Sequence, residues 1–151
     1  MPEKQVLFIC IENACRSLMA ESMFNSNPPP GWKAASAGTA PAPVPNPRTE
    51  AMLNEIGLAL PPHRPQQLSD AMVSASVVRV TMGCLDDVSC PARLKTVEVV
   101  DWGLPDPAKL DDAGFRRVRD ELRRRVERLR LELILGDRRV AALTAGASDG
   151  A

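Results

Sequence analysis

The sequence predicts a single α/β domain in which a four-stranded parallel sheet carries helices on both faces. An apolar run over residues 5–10 (QVLFIC) has the character of a strand buried in a parallel sheet. A short polar loop and a helical segment follow it, and three further strand candidates alternate with helices. The length of 151 residues suits one domain, which we assign to residues 1–135, and we expect 136–151 to be a partly disordered tail.

Apolar spacing and helix-ending residues place the remaining elements. The other strand candidates are residues 32–37, 77–82 and 96–102. The first helix candidate covers residues 17–24 and is ended by the NPPPG segment. The second covers residues 48–56 and begins after Asn46-Pro47. The third covers residues 110–135 and is ended by Gly136. In a doubly wound sheet ligands bind at the carboxyl ends of the strands, so the loops after the strands are where we expect a site.

Composition and charge disfavour several classes of function. The formal net charge is zero, and three Phe, two Trp and no Tyr provide few aromatic rings for stacking on bases. The arginines between residues 116 and 130 are interpreted as the solvated face of an amphipathic helix. No apolar run approaches the roughly 18 residues that span a bilayer, and the apolar start is too short for a signal peptide. We therefore expect a cytoplasmic protein, by default a monomer, with no nucleic-acid or membrane partner.

The loop after the first strand, CIENACRS, carries the clearest functional signal. Cys10 ends the strand, and Arg16 and Ser17 begin the next helix. Backbone N–H groups of such a loop converge in front of a helix N-terminus, where a tetrahedral oxyanion binds. Arg16 adds a two-pronged donor, the same field favours the Cys10 thiolate, and Ser17 is placed to donate to its sulfur. Substrate binding is accordingly assigned to Ile11, Glu12, Asn13, Ala14, Cys15 and Arg16.

Two features of this loop leave room for another interpretation. A Cys and an Arg at this spacing also occur by chance, so Cys10 could be a buried cysteine beside an unrelated arginine. The carboxylate of Glu12 would repel an anion unless it faces solvent, as we expect it to do. The position after a buried strand, with Asn13 and Ser17 in place, favours a nucleophile beneath an anion.

Asp106 follows the fourth strand candidate and lies between two prolines. The prolines fix the backbone and can hold the carboxyl group at the mouth of the site. A carboxyl group facing the anion would act as a general acid toward the departing oxygen. A rigid surface turn explains the segment equally well, and both interpretations stay open.

Cys84 and Cys90 follow the third strand candidate, at the same edge of the sheet. In an intact helix their Cα atoms would lie about 9 Å apart, whereas a disulfide needs about 7 Å or less. Pro91 disfavours helix at Cys90, so a loop or an unwinding segment is expected, as a thiol shuttle requires. Inert buried thiols are an alternative. A zinc site is disfavoured by the cysteine spacing and the remote single histidine, and no metal is predicted.

Together these features resemble the thioredoxin-coupled arsenate reductases, which share the low-molecular-weight tyrosine phosphatase fold. The resemblance spans roughly residues 4–133 and rests on LFICIENACRSLMAE at the start, SAGT at 36–39, VTMGC at 80–84, SCP at 89–91 and DWGLPDP at 101–107. It implies strand order 2-1-3-4, no bound cofactor, and thioredoxin as the electron donor.

The resemblance also implies a role for each cysteine of a relay. Cys10 would attack arsenate held by the loop amides and Arg16, while Asp106 protonates the leaving oxygen. Cys84 would then attack Cys10, release arsenite and form a disulfide, which Cys90 moves to the Cys84–Cys90 pair for reduction by thioredoxin. Cys15 matches a family cysteine outside the relay, and phosphate or sulfate would compete with arsenate.

Two other functions remain as alternatives. A low-molecular-weight phosphatase would use Cys10, Arg16 and Asp106, but it gives the two later cysteines no task. Phosphatases of this fold also tend to have tyrosine where this chain has Ala108. A non-enzymatic oxyanion-binding or arsenic-sensing module would keep the loop and need no acid. The sequence favours arsenic detoxification by arsenate reduction and leaves open whether a small thiol replaces thioredoxin.

Overall fold

A computed structural model of the chain describes residues 3–83 and 92–149, and it has the predicted architecture. Four parallel strands form one sheet in the order β2-β1-β3-β4. The strands are β1 (Lys4–Cys10), β2 (Trp32–Gly38), β3 (Val78–Thr81) and β4 (Val100–Asp101). The helices are α1 (Arg16–Ser26), α2 (Pro47–Asn54), α3 (Asp70–Ala75) and α4 (Asp112–Asp149), with 3-10 turns at Ala92–Thr96 and Pro107–Lys109. The predicted fold class and strand order are confirmed.

Alternation along β1 divides the interior into two layers. Phe8 and its neighbours two residues away on β1 face a large core with α1, α2 and α4, whereas Leu7 and Ile9 face a smaller core with α3. Burial on both faces explains why β1 is an unbroken apolar run. Helices therefore cover both sides of the sheet, and the predicted apolar stripe of α4 packs on the larger core.

Three elements differ from the sequence prediction. The short helix α3 was not predicted; Ser69 caps its start, with a hydroxyl that accepts a hydrogen bond from the Met72 amide. Strand β4 has two residues instead of the seven expected, because it pairs only with the last two residues of β3. The predicted end of the last helix at Gly136 is wrong, since α4 continues to Asp149.

Contacts just beyond Gly136 explain why α4 continues. Asp137 accepts hydrogen bonds from the Trp32 indole (2.8 Å) and the Lys4 ammonium (3.1 Å), which hold this turn of α4 against the starts of β1 and β2. A glycine inside a helix costs only about 1 kcal/mol relative to alanine, so such anchors outweigh it. The division of the chain at residue 136 falls within this helix and otherwise stays a prediction.

The carboxyl ends of the strands bring the site together. The loop after Cys10, the segment after Gly38 and the segment after Asp101 meet at this edge of the sheet. Helix α2 begins as predicted, with the Asn46 side chain accepting from the Arg48 amide at 2.9 Å and proline at the first helical position. None of the helices in the described part of the chain combines the length and apolar character needed to cross a membrane.

Candidate active site

The loop between β1 and α1 is held from outside by its backbone carbonyl groups. The carbonyls of Cys10, Ile11, Glu12 and Ala14 accept hydrogen bonds of 2.8–3.1 Å from amides of the segment 39–46. The Asn13 amide of the same loop donates to the Cys10 sulfur, on the inner side of the loop. No side chain caps the first turn of α1, so its amides remain available. A loop of this kind before a helix N-terminus is suited to an anion, and the predicted anion-binding role of its residues stays a prediction.

The thiol of Cys10 lies at the base of this loop. Its sulfur is 2.8 Å from the Ser17 hydroxyl and accepts a hydrogen bond from the Asn13 amide at 3.2 Å. Asn13 reaches this position with a positive φ of 51°, a conformation that asparagine tolerates better than most residues. These two contacts hold the Cys10 sulfur in place at the base of the loop.

The guanidinium group of Arg16 joins two neighbouring segments. Its Nη1 atom donates to the carbonyl oxygens of Met82 (3.0 Å) and Leu104 (2.7 Å), which follow β3 and β4 respectively. Both bonds use Nη1, so Nε and Nη2 are not committed to them. The edge carrying those two atoms is the one that binds an oxyanion with two parallel hydrogen bonds.

A cavity of about 190 Å³ opens above the loop. It is lined by Cys10, Ile11, Glu12, Ala14, Cys15, Arg16, Asp106 and Lys109. Asp106 therefore shares a cavity with Cys10, the candidate nucleophile. The general-acid interpretation of Asp106 requires this position, whereas the surface-turn interpretation does not. Its Oδ1 atom accepts from the Ala108 amide at 3.0 Å, which fixes the carboxyl group at the start of the 3-10 turn. Glu12 is exposed, as expected. The sequence analysis did not include Lys109 among the site residues, because an isolated lysine has no sequence signature.

With this geometry established, comparison with known proteins decides the family. A model described as low molecular weight phosphotyrosine protein phosphatase matches residues 5–139. The chain belongs to this phosphatase family. Arsenate reductase 1 of Staphylococcus epidermidis is 35% identical over 127 residues, which are 84% of this chain and 96% of the relative.

Two solved structures of this phosphatase family fold extend the comparison. The thioredoxin-dependent arsenate reductase of Corynebacterium glutamicum matches with a TM-score of 0.73 and 30% identity, over 89% of this chain. The match covers 64% of that structure, so this chain spans less than two thirds of it. An arginine phosphatase from Geobacillus stearothermophilus matches with a TM-score of 0.70 and 26% identity, over 86% of this chain and 92% of the other. The family match and these relatives make the chain an enzyme.

The second cysteine of the phosphatase-family loop differs in character from the first. Cys15 is buried, and this burial raises the pKa of its thiol to about 11, although a hydrogen bond with Thr49 works in the opposite direction. A thiol with so high a pKa is protonated at neutral pH and is a poor nucleophile. This agrees with the expectation that Cys15 supplies backbone to the loop and no redox chemistry.

Behind the loop lies a group of hydrogen-bonded polar side chains, of which four are buried and His63 is partly exposed. Asn13 contacts Ser17 and Ser36, Ser36 contacts Glu21, and Glu21 contacts His63. Ser36 belongs to the SAGT segment noted above, but nothing in the sequence spacing connects it with residues 21 and 63. Only the pairing of β1 with β2 and the packing of α1 bring them together.

Cys84 and Cys90 lie outside the described residues, so their predicted roles stay predictions. They follow β3, which ends at Thr81. Across the described ranges, 3–83 and 92–149, no group of three or more His, Cys, Asp or Glu side chains is arranged to hold a metal ion.

Proposed function

We propose that this protein reduces arsenate to arsenite, with Cys10 as the nucleophile and Cys84 and Cys90 as the shuttle of a thioredoxin-coupled relay. The observation that carries the proposal is a buried thiol that accepts a hydrogen bond from the Asn13 amide, lies 2.8 Å from the Ser17 hydroxyl and shares one cavity with Asp106. Similarity to arsenate reductases at 35% identity over nearly their whole length supports arsenate as the oxyanion.

The first step forms a bond between sulfur and arsenic. The Cys10 thiolate attacks the arsenic atom of arsenate, whose oxygens are held by the loop amides and Arg16. One oxygen departs as water after receiving a proton, which in this proposal comes from Asp106 in the same cavity. The product is an arsenate thioester at arsenic(V), with no electron transferred so far.

Electron transfer follows when a second thiolate attacks. The Cys84 thiolate attacks the Cys10 sulfur, and the electron pair of the sulfur–arsenic bond passes to arsenic, which leaves as arsenite. Cys90 then attacks Cys84 and releases Cys10 as a thiolate, leaving a Cys84–Cys90 disulfide. Thioredoxin, a dithiol, reduces that disulfide. In sum, arsenate and one dithiol give arsenite, water and one disulfide.

The shuttle is needed because the nucleophile is enclosed. Cys10 is only 4% exposed, so a disulfide on its sulfur is poorly accessible to a protein reductant. The proposed relay moves the oxidation from Cys10 to Cys84 and Cys90, whose disulfide thioredoxin then reduces. We place the reaction in the cytoplasm, where thioredoxin keeps thiols reduced.

Replacing Cys90 by serine tests the relay. We expect Cys90→Ser to release about one arsenite per enzyme and then to stop as a Cys10–Cys84 disulfide, because nothing moves the oxidation outward. Rapid-quench kinetics with thioredoxin, thioredoxin reductase and NADPH would measure the burst, and mass spectrometry would identify the disulfide. Cys15→Ser is the matched control and should keep most of its turnover.

Sustained turnover by Cys90→Ser with thioredoxin would contradict the shuttle and favour a small thiol as reductant. A Cys15→Ser variant as inactive as Cys10→Ser would contradict the assignment of the relay.

A phosphatase is the second candidate, because the described cavity contains all that phosphoester hydrolysis by this family needs. Cys10, Arg16 and Asp106 would suffice for it, and an arginine phosphatase is among the structural matches. The two candidates separate on Cys84→Ser. A phosphatase keeps its activity on an aryl phosphate in this variant, whereas arsenate reduction is lost.

A further inference from the structure

The segment that carries Asp106 is bonded by an arginine on either side of it. Before Asp106, the Leu104 carbonyl oxygen accepts a hydrogen bond from Arg16 at 2.7 Å. After it, the Leu110 carbonyl oxygen accepts from the Nη2 atom of Arg48 at 2.9 Å. Arg16 lines the cavity and Arg48 does not, so the contact made by Arg48 can be removed without changing the wall of the cavity.

Between these two bonds, residues 106–110 form a compact unit, which we call the acid turn. The Asp106 Oδ1 atom accepts from the Ala108 amide at 3.0 Å, and the Asp106 carbonyl oxygen accepts from the Lys109 amide at 3.3 Å. The Pro107 carbonyl oxygen accepts from the Leu110 amide at 3.0 Å. Because each bond joins residues two or three positions apart, a contact that fixes Leu110 also fixes the Asp106 carboxyl group.

The guanidinium group of Arg48 is itself fixed by two further contacts. Its Nη2 atom also donates to the Asp112 carboxylate at 3.1 Å. Its central carbon lies 4.8 Å from the centre of the Phe115 ring, and Phe115 is fully buried. A planar guanidinium that stacks on a ring and donates along its edge has little freedom to turn. The core of the protein therefore sets the direction in which Arg48 meets Leu110.

The start of α2, which carries Arg48, also contacts the opposite side of the cavity. The Asn46 amide and the hydroxyl of the buried Thr49 donate to the Ala14 carbonyl oxygen, at 3.1 and 2.7 Å. Ala14 belongs to the loop between β1 and α1 and lines the same cavity as Cys10. Residues 46–49 therefore bond the Cys10 loop on one side and, through Arg48, the acid turn on the other.

We propose that Arg48 is a positioning residue, which sets the distance between Asp106 and the Cys10 loop by bonding the acid turn to the start of α2. The inference rests on the proposed function in taking Asp106 as the proton donor. It applies equally to arsenate reduction and to phosphoester hydrolysis, because the departing oxygen needs a proton in both. A general acid acts within hydrogen-bond reach of that oxygen, so a displacement of about 1 Å is costly.

The first experiment requires no activity. Arg48→Met keeps an unbranched stem beside Phe115 and removes the donors, so the amides of Ala108 and Leu110 should exchange their hydrogen roughly five- to tenfold faster. The Asn46 amide should exchange as in the wild type. Arg48→Lys keeps a cation that can donate to the Leu110 carbonyl and should show a smaller increase. Exchange by NMR measures this, and unchanged rates at Ala108 and Leu110 would overturn the proposal.

The second experiment separates chemistry from anion binding. With thioredoxin, thioredoxin reductase and NADPH, Arg48→Met should lower kcat/KM for arsenate roughly ten- to hundredfold, and Arg48→Lys should recover part of the loss. The inhibition constant of sulfate and the alkylation of Cys10 by iodoacetamide should be unchanged, since the bonds from Asn46 and Thr49 to the loop remain. A loss of sulfate affinity as large as the loss of kcat/KM would mean that Arg48 acts on the anion loop, and the proposal would be wrong.

Arg119→Met is the matched control for stability. Arg119 also joins α4 to α2, by donating to the Met52 carbonyl oxygen (3.1 Å) and to Glu55 (2.5 Å), but at the other end of α2 from the acid turn. This variant should lower Tm at least as much as Arg48→Met and leave kcat/KM unchanged. An equal fall of kcat/KM in both variants would mean that Arg48 acts through stability and not through position.

A double-mutant cycle tests whether Arg48 acts through the acid. In an Asp106→Asn background, Arg48→Met should cause no further loss of kcat/KM, because the group that it positions is gone. Additive losses, or an Asp106→Asn variant with full activity, would overturn the inference. The same cycle can be measured with an aryl phosphate, and hydrogen exchange needs no substrate. Failure of the relay therefore leaves these tests intact, and their failure leaves the relay test intact.

Discussion

The absence of a side chain at Gly38 permits the loop between β1 and α1 to lie close to β2. Gly38 pairs with Cys10 across β1 and β2, and a Cβ atom there would collide with the Ile11 carbonyl oxygen and crowd the Asn13 backbone. Both contacts are to backbone of the loop, so no side-chain rotation relieves them. The loop can therefore approach β2 closely only beside a glycine.

At this position we expect Gly38→Ala to displace the loop. The variant should unfold at lower denaturant concentration, by roughly 1–3 kcal/mol, and alkylate more slowly at Cys10. Gly136→Ala is the matched control, because its Cβ atom enters open space within a helix and should stabilise by about 0.5–1 kcal/mol. Equal effects of the two substitutions would contradict this account.

At the scale of elements, a carboxylate at the end of α2 accepts hydrogen bonds from two arginines of α4. Glu55, at the end of α2, accepts from Arg116 (2.8 Å) and from the buried Arg119 (2.5 Å), and Arg119 also donates to the Met52 carbonyl oxygen. These bonds hold the pKa of Glu55 at about 2, below its ordinary 4.5. Because the folded-state pKa is the lower one, the stabilisation is complete above pH 4.5 and is lost as the pH falls toward 2.

Glu55→Gln should accordingly lower Tm at neutral pH, modestly because the carboxylate is solvent-exposed. The difference in Tm from wild type should shrink as the pH is lowered from 4.5 toward 2, since the wild-type carboxylate then takes up its proton. Thermal melts followed by circular dichroism across this range would measure it. Glu98→Gln, at another exposed carboxylate, is the control, and a Tm difference independent of pH would contradict the assignment.

At the scale of the whole molecule, the site depends on the sheet and not on any one segment. Arg16 donates to one carbonyl group in each of the segments after β3 and β4, and the residues after β2 donate to the loop carbonyls. An oxyanion in the cavity would add hydrogen bonds among these parts. Since it binds only the folded chain, it should stabilise the whole fold.

We therefore expect sulfate or phosphate to raise Tm in a saturable way. At about 100 times Kd the gain is about 2.7 kcal/mol, or roughly 5–10 °C for a domain of this size. Arg16→Lys keeps the charge but loses the two-pronged geometry, and it should lose most of the saturable gain. Comparing the two proteins at the same sulfate concentration separates binding from the general stabilisation by sulfate. An identical rise in both would contradict an oxyanion site at Arg16.

The sequence pattern was sufficient to predict an element where the residues that define it are contiguous in the chain. The apolar run of β1, the Asn-Pro start of α2 and the helical spacing from Phe115 onward were all read correctly. Helix α3 was missed because six residues are too few for a period to be visible. The end at Gly136 was wrong because Trp32 and Lys4, more than 100 positions earlier in the chain, anchor Asp137.

The sequence by itself determined the fold class, the family and the position of Cys10 and Arg16 on the loop after β1, because each of these is written in contiguous residues. Only the tertiary structure decided that the segment 39–46 bonds the loop carbonyls, and that Asp106 and Lys109 share the cavity. It alone also connected His63 to Cys10 through Glu21. The physical reason is that hydrogen bonds and charges act over a few ångströms in space, and strand pairing and helix packing set those distances between residues far apart in the chain.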